Sequence, residues 1–214
     1  MGANRHVILF VKAPRRGRAK RRLAADIGHA AAARFYRETV AGVLSRLMRD
    51  RRWRVRLAVT PDGFAARGRF WPAAVPRHPQ GGGDIGRRMA RALAVPPAAA
   101  GPRLVIGGDI PDLAPRHVWA AFDALRRHDL VFGPAVDGGF WLVGTRGAPP
   151  AGLFRDVRWS GPHALADTLA GLPGGVRVAL VDELADVDDG AGWRRWKARR
   201  GTGASPSDAP SGGA

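Results

Sequence analysis

The segment Leu104-Val-Ile-Gly-Gly-Asp-Ile-Pro-Asp-Leu113 constrains the fold more than any other stretch of this chain. A short apolar run ends in two glycines, then a carboxylate, then a proline that stops either regular element. In open α/β sheets this is how one acid is presented at the carboxyl end of a buried strand, where ligands collect. Asp109 is therefore the first candidate for chemistry. A second Gly-rich turn with an acid, Gly133-Pro-Ala-Val-Asp-Gly-Gly139, lies about one strand–helix–strand unit further on.

The rest of the chain agrees with an α/β fold. His6–Val11 is a continuous apolar run suited to a central strand covered on both faces. It leads into a loop, Lys12 to Arg22, punctuated by Pro14 and Gly17. Phe35, Tyr36, Val40, Val43, Leu44 and Leu47 recur at helical spacing, and Asp26 is placed to cap that helix. Trp53–Val59 reads as a second strand stopped by Pro61, and residues 61–80 as irregular. Arg87–Leu93 opens a helix. Pro115 suits the first turn of another helix, with Asp112 as its capping acid. Leu130–Phe132, Phe140–Val143 and Val176–Leu180 read as strands, and Ser160 as the cap of a helix through Leu172. A short helix carries Trp193 and Trp196. Strands alternating with helices predict a three-layer α/β/α sandwich with a mainly parallel central sheet. The expected organisation is one domain over residues 1–198 and a disordered Gly/Ser/Pro/Ala tail over 199–214.

Composition excludes several classes. With no cysteine there is no disulfide, thiolate catalysis or Cys-based zinc site. The chain has no apolar run of the roughly 18 residues that a membrane helix needs. The N-terminal residues lack the pattern of a secretory signal, so a cytoplasmic protein is expected. A formal charge of +17 invites a nucleic-acid partner. Arg, Ala, Gly and Pro dominate together, however, and Lys occurs only at positions 12, 20 and 197, so most of this charge reads as solvated surface. Acids in the Gly-rich loops would face the same anion, which argues against nucleic acid.

The distribution of charge is more informative. Six of the eight residues from Arg15 to Arg22 are basic. A basic loop after the first strand is where α/β proteins hold phosphates. Its spacing matches neither the dinucleotide fingerprint nor the P-loop. Asp109 suits Mg2+ or Mn2+, hard ions that take oxygen ligands and commonly one or two protein carboxylates. Asp137 lies on a turn that can face the same cleft, and either Asp186 or Asp188 can complete a metal site. The histidines show no metal-ligand spacing. Of the tryptophans, Trp141 and Trp159 sit next to the candidate site loops.

Six ordered blocks stand out. Lys12-Ala-Pro-x-x-Gly17-x-x-Lys20-x-Arg22-Leu23, Gln80-Gly-x-Gly-Asp84-x-Gly86-x-Arg88-Met89 and Gly107-x-Asp109-x-Pro111-Asp112-Leu113 come first. They continue with Gly133-Pro134-x-x-Asp137-Gly138-Gly139, Trp159-Ser160 and Asp186-Val187-Asp188. Together they resemble small bacterial proteins of the glycosyltransferase-A superfamily, which are distantly related to the molybdenum cofactor and phospholactate guanylyltransferases. The resemblance implies a nucleotide-diphospho-sugar transferase type of fold, with a divalent metal at Asp109 and a late metal position at Asp188. It makes Lys12, Arg16, Gly17, Lys20 and Arg22 phosphate-loop candidates, and Gln80 and Asp84 candidates for contacting nucleotide or acceptor. Asp109 and Asp137 are then the acids expected at the catalytic centre. The chain departs from the pattern at Arg21, Phe140, Gly161 and Asp189-Gly-Ala-Gly192. The implied activity is a metal-dependent transferase using a nucleotide-activated donor, glycosyl transfer from a nucleoside diphosphate sugar first. Nucleotidyl transfer to a sugar phosphate or similar acceptor, with pyrophosphate release, is the alternative. A non-catalytic nucleotide- or nucleic-acid-binding protein is the third.

Overall fold

The structure is a computed structural model that describes residues 4–14, 20–67, 70–94 and 101–201. Among the described residues, seven strands form one sheet: β1 (His6–Lys12), β2 (Arg54–Thr60), β3 (Arg77–Pro79), β4 (Arg103–Gly107), β5 (Leu130–Pro134), β6 (Phe140–Thr145) and β7 (Val178–Leu180). Their order is β3-β2-β1-β4-β6-β5-β7. Only β6 runs against the others, pairing antiparallel with β4 on one side and β5 on the other. The sheet is thus mainly parallel, as the alternation of elements predicts.

Helices cover both faces: α1 (Arg21–Ile27), α2 (His29–Arg49), α3 (Gly63–Arg67), α4 (Ile85–Ala94), α5 (Pro115–Ala124), α6 (Ala164–Ala170) and α7 (Gly190–Gly201). The pleat of β1 explains the layering, since successive side chains alternate between faces. Val7, Leu9 and Val11 enter a core with Val40, Val43 and Leu44 of α2 and Val118, Ala121 and Phe122 of α5. Ile8 enters the opposite core, with Met89 and Leu93 of α4, Phe132 and Val143. A third, smaller core joins Leu23 and Ala24 of α1, Phe35 of α2 and Val187, with Trp193 and Trp196 of α7 packed against it.

Several local expectations are corrected. Residues 61–80 contain α3 and β3 rather than irregular chain alone. Asp26 does not cap α2, which begins beyond Gly28; its Oδ2 accepts the Gly190 N–H at 2.8 Å. Asp112 does not cap α5, whose capping residue is Ala114; it accepts Trp196 Nε1–H at 3.2 Å and Arg199 Nη2–H at 3.0 Å. Ser160 precedes α6 by four residues and makes no cap, because that helix begins after His163. In each case a long-range donor or a later helix start overrode the local rule. Helix α7 runs to Gly201, three residues into the stretch that composition assigns to the tail, and residues 202–214 lie outside the described residues.

Candidate functional site

From β1 the chain moves outward through β2 and β3, then returns to the other side of β1 as β4. The carboxyl ends of β1 and β4 therefore bracket the point where strand order reverses, the usual ligand crevice of an open α/β sheet. Residues just beyond both strands meet there. Gly108 donates its N–H to the Phe10 carbonyl at 3.0 Å, and a Cβ on it would lie 2.8 Å from Val11 Cγ1. Only a glycine lets the chain leave β4 so close to β1, and that approach aims Asp109 into the crevice.

The late acidic segment reaches the same place from the far end of the sequence. After β7, Leu184 bridges to Ala135 and donates its N–H to the Pro134 carbonyl at 3.1 Å, which extends the chain alongside β5. Val187 is buried in the α1–α2–α7 core. The residues on either side of it, Asp186 and Asp188, come together with Asp109. One carboxylate oxygen from each of the three lies within 4.8 Å of the others. Asp189-Gly-Ala-Gly192 has a structural role here: Asp189 Oδ1 accepts the Gly192 N–H at 2.7 Å, and a Cβ on Gly190 would lie 2.6 Å from Asp26 Cβ. The glycines let α7 start against α1.

Lys20 neutralises this cluster. Its backbone is left-handed, with φ 50° and ψ 54°, a costly conformation for a side-chain-bearing residue that turns it inward at the start of α1. The ammonium is 2.8 Å from Asp109 Oδ2 and 2.6 Å from Asp188 Oδ1, and its side chain is only 4% exposed. Burial alone would lower the Lys20 pKa, but Asp109 and Asp188 more than offset it and hold the ammonium protonated. Burial opposes ionisation of Asp109 as well; the Lys20 charge and its hydrogen bond win, and the carboxyl stays below the usual range. Asp186 differs. Burial pushes its carboxyl up to about 6, the Lys20 charge opposes that rise, and Asp109, Asp188 and Asp137 add to it. Tyr36 stands beside the cluster with its hydroxyl accepting the Lys12 N–H at 2.8 Å. Burial and then the Asp109 charge raise its pKa.

The donor set fits a hard divalent ion: three carboxylates, all oxygen ligands, partly open to solvent. A cation already stands among them in the form of the Lys20 ammonium, so the cluster requires positive charge at that point.

Two cavities share Asp109 as a wall. One, of about 510 Å³, is lined by Lys12, Lys20, Arg88, Tyr36, Gln80 and Asp188 among others. The other, of about 220 Å³, lies beneath the β5–β6 turn and carries Asp137 and Asp186 with Phe140, Trp141 and Trp159. The candidates from sequence distribute unevenly over them. Lys12 and Lys20 line the first cavity, and the exposed Arg22 approaches Asp188 at 3.9 Å. Arg16 and Gly17 lie outside the described residues. Gln80 is on the wall, but its amide nitrogen donates to the Ala58 carbonyl at 2.9 Å and the Val11 carbonyl at 3.3 Å, which ties β1 to β2. Asp84 lines neither cavity. It accepts the Arg87 N–H at 2.7 Å at the start of α4. Asp137 accepts the Gly139 N–H at 3.0 Å, which folds the turn and leaves the residue exposed on the cavity wall. Tyr36 and Arg88 were not among the site candidates. Tyr36 falls in the apolar stripe of α2 and reads from sequence as core. Arg88 lies in a quoted block and was legible as one more cation of an Arg-rich chain.

Residues 43–161 match the model of the DUF2064 family, described as uncharacterised proteins conserved in bacteria. That span includes Gln80, Asp84, Asp109 and Asp137, and it excludes Lys20 and Asp188. No curated protein matches the sequence significantly. Among solved structures, a candidate nucleotide-diphospho-sugar transferase from Desulfovibrio desulfuricans G20 is 26% identical, with a TM-score of 0.75 over 87% of this chain and 83% of that one. The 4-diphosphocytidyl-2C-methyl-D-erythritol synthase of Anaerococcus prevotii DSM 20548 is 9% identical and has a TM-score of 0.60 over 94% of this chain and all of that one. Rv0371c of Mycobacterium tuberculosis H37Rv, solved with manganese, is 16% identical with a TM-score of 0.54 over 91% and 98%. The sandwich is the fold of these three proteins, and the chain belongs to the DUF2064 family.

Proposed function

We propose that this chain is a metal-dependent transferase that uses a nucleotide-activated donor, with a nucleoside diphosphate sugar as that donor. The observation that carries the reading is the meeting of Asp109, Asp186 and Asp188 at the strand-order reversal, beside a cavity walled by Lys12, Lys20 and Arg88. The likeness to the Desulfovibrio protein supports it. Asp109, with Asp188 and Asp186, would hold Mg2+ or Mn2+. The bound ion would supply positive charge against the departing diphosphate. Lys12, Lys20 and Arg88 would grip the phosphates, so that rate acceleration comes from positioning and fixed charge. An acceptor hydroxyl attacks the anomeric carbon of the donor. The bond from that carbon to the diphosphate oxygen breaks, its electron pair leaving with the nucleoside diphosphate. The hydroxyl proton passes to the Asp137 carboxylate.

The test is a thermal-shift screen of nucleoside diphosphates and nucleotide sugars with and without Mn2+, in the wild type and Asp109→Asn. Ligand that binds the folded state raises the melting temperature by mass action. A Mn2+-dependent rise lost in Asp109→Asn is the expected result. A screen with no Mn2+-dependent rise for any nucleotide refutes the reading. The likeness to a synthase whose product carries a diphosphocytidyl group favours nucleotidyl transfer as the second reading. Acceptor-dependent pyrophosphate release from a nucleoside triphosphate would establish that chemistry instead.

A further inference from the structure

The two cavities that share Asp109 differ in charge. The larger has Lys12, Lys20 and Arg88 on its wall. The smaller has Asp109, Asp137 and Asp186, and its lining, among the described residues, includes no Lys, Arg or His. The apolar part of that lining includes Ile85 and Met89 of α4 and the rings of Phe140, Trp141 and Trp159. The Phe140 and Trp159 rings are placed by packing: their centroids are 6.3 Å apart with planes inclined by 67°, and Phe154 stacks on Phe140. Gly86 makes room for the indole, since a Cβ there would lie 2.5 Å from Trp159 Cζ2.

We propose that the smaller cavity is the acceptor subsite and that it takes an uncharged, hydroxyl-rich molecule of about one sugar ring, excluding its phosphorylated counterpart. This rests on the transferase reading above and adds the acceptor class to it. A divalent ion held by Asp109, Asp186 and Asp188 would, together with Lys20, offset those three charges and leave the Asp137 carboxylate uncompensated. A phosphate or carboxylate on the acceptor would face Asp137 in a partly desolvated space whose lining, among the described residues, adds no basic side chain, and like charges repel there far more than in water. A polyol meets complementary groups there. Its hydroxyls donate to Asp137, which in ionised form only accepts, and its C–H face packs against the aromatic rings. A volume of about 220 Å³ falls below the roughly 300–1,000 Å³ typical of drug-sized ligand sites, which limits the occupant to one small ring. Asp109 on the common wall places that ring beside the donor phosphates.

The test uses matched pairs: myo-inositol against inositol 1-phosphate, and glucose against glucose 6-phosphate. Binding to the full chain is read by saturation-transfer NMR, with Mn2+ replaced by Mg2+, and in parallel the donor turnover with each compound is followed. The unphosphorylated member of a pair should bind at least tenfold more tightly. Asp137→Asn keeps the acceptor oxygen that folds the turn but removes a charge, so it should narrow that ratio several-fold. Trp159→Ala should weaken the polyol without changing nucleotide binding. Preference for the phosphorylated members, or no binding by any polyol, overturns the acceptor proposal. Mn2+-dependent nucleotide binding is a separate readout, and its absence would sink the transferase reading instead.

Discussion

Replacing Lys20 by Met tests whether this ammonium occupies the place of a divalent cation among the three carboxylates. Methionine keeps a long flexible stem and suffers a similar penalty at φ 50°, so the change isolates the charge. In the wild type the ammonium contacts carboxylates at 2.8 and 2.6 Å from a side chain that is 4% exposed. Breaking a fully buried pair costs about 3–5 kcal/mol. Exposed pairs are worth about 0–1 kcal/mol. Asp109 and Asp188 have side chains 34% and 48% exposed, so solvent screening places the loss between those limits, about 2 kcal/mol. In a domain of this size that lowers the melting temperature by roughly 4–8 °C. Mn2+ should then behave differently in the two proteins. In the wild type the ion must displace the ammonium from two of its ligands, whereas in Lys20→Met the carboxylates are unopposed. Calorimetric titration should show tighter Mn2+ binding to the variant, and scanning calorimetry should show the stability gap closing as the ion saturates. If Lys20→Met melts at or above the wild type without metal, Lys20 does not neutralise the cluster. If the variant binds Mn2+ more weakly, the ammonium and the ion cooperate and the stand-in argument is wrong.

The raised pKa of Asp186 makes metal binding pH-dependent. Its folded value of about 6 lies above the 3.8 of the free side chain, so its protonated form favours the folded state. That contribution is present in full below pH 3.8 and is lost as the pH rises through 6. A metal needs the ionised form, so Mn2+ affinity should fall as the pH drops through 6, with proton uptake on release detectable by titration in buffers of different ionisation enthalpy. Gln80→Ala should cost about 1–3 kcal/mol in urea unfolding, because it removes the tie from β2 to the end of β1, and should leave Mn2+ affinity unchanged. A large drop in affinity would give Gln80 a ligand role. Gly86→Val should destabilise by about 1–3 kcal/mol by overpacking against Trp159, and near-ultraviolet circular dichroism should report the displaced indole. An unaltered spectrum with unchanged stability would show that α4 does not hold that ring.

The main strands and Asp109 were legible because their signals are local. Val7–Val11 is apolar throughout, since a central strand is covered on both faces, and Gly-Gly before Asp109 marks a close backbone crossing. The direction of β6 left no local trace, because Phe140–Val143 has the same apolar character whichever way the strand runs. The capping assignments failed for the same kind of reason. Asp26 and Asp112 are chemically suitable caps, but α7 brought Gly190, Trp196 and Arg199 to them from positions 84 to 164 residues away.

The sequence by itself determined the α/β layering, the position of Asp109 at a strand end, and the run of basic residues that follows the first strand. Each follows from short-range periodicity or from a glycine's backbone freedom. The tertiary structure decided which charges meet. Lys20 and Asp188 are 168 residues apart in sequence and 2.6 Å apart in space, joined because β4 returns beside β1 and the chain after β7 runs alongside β5. It also separated a cation-walled cavity from an acid-walled one across a single carboxylate. Charge–charge energies depend on distance and local dielectric, and in a chain with 35 basic residues neither can be read until the backbone has placed them.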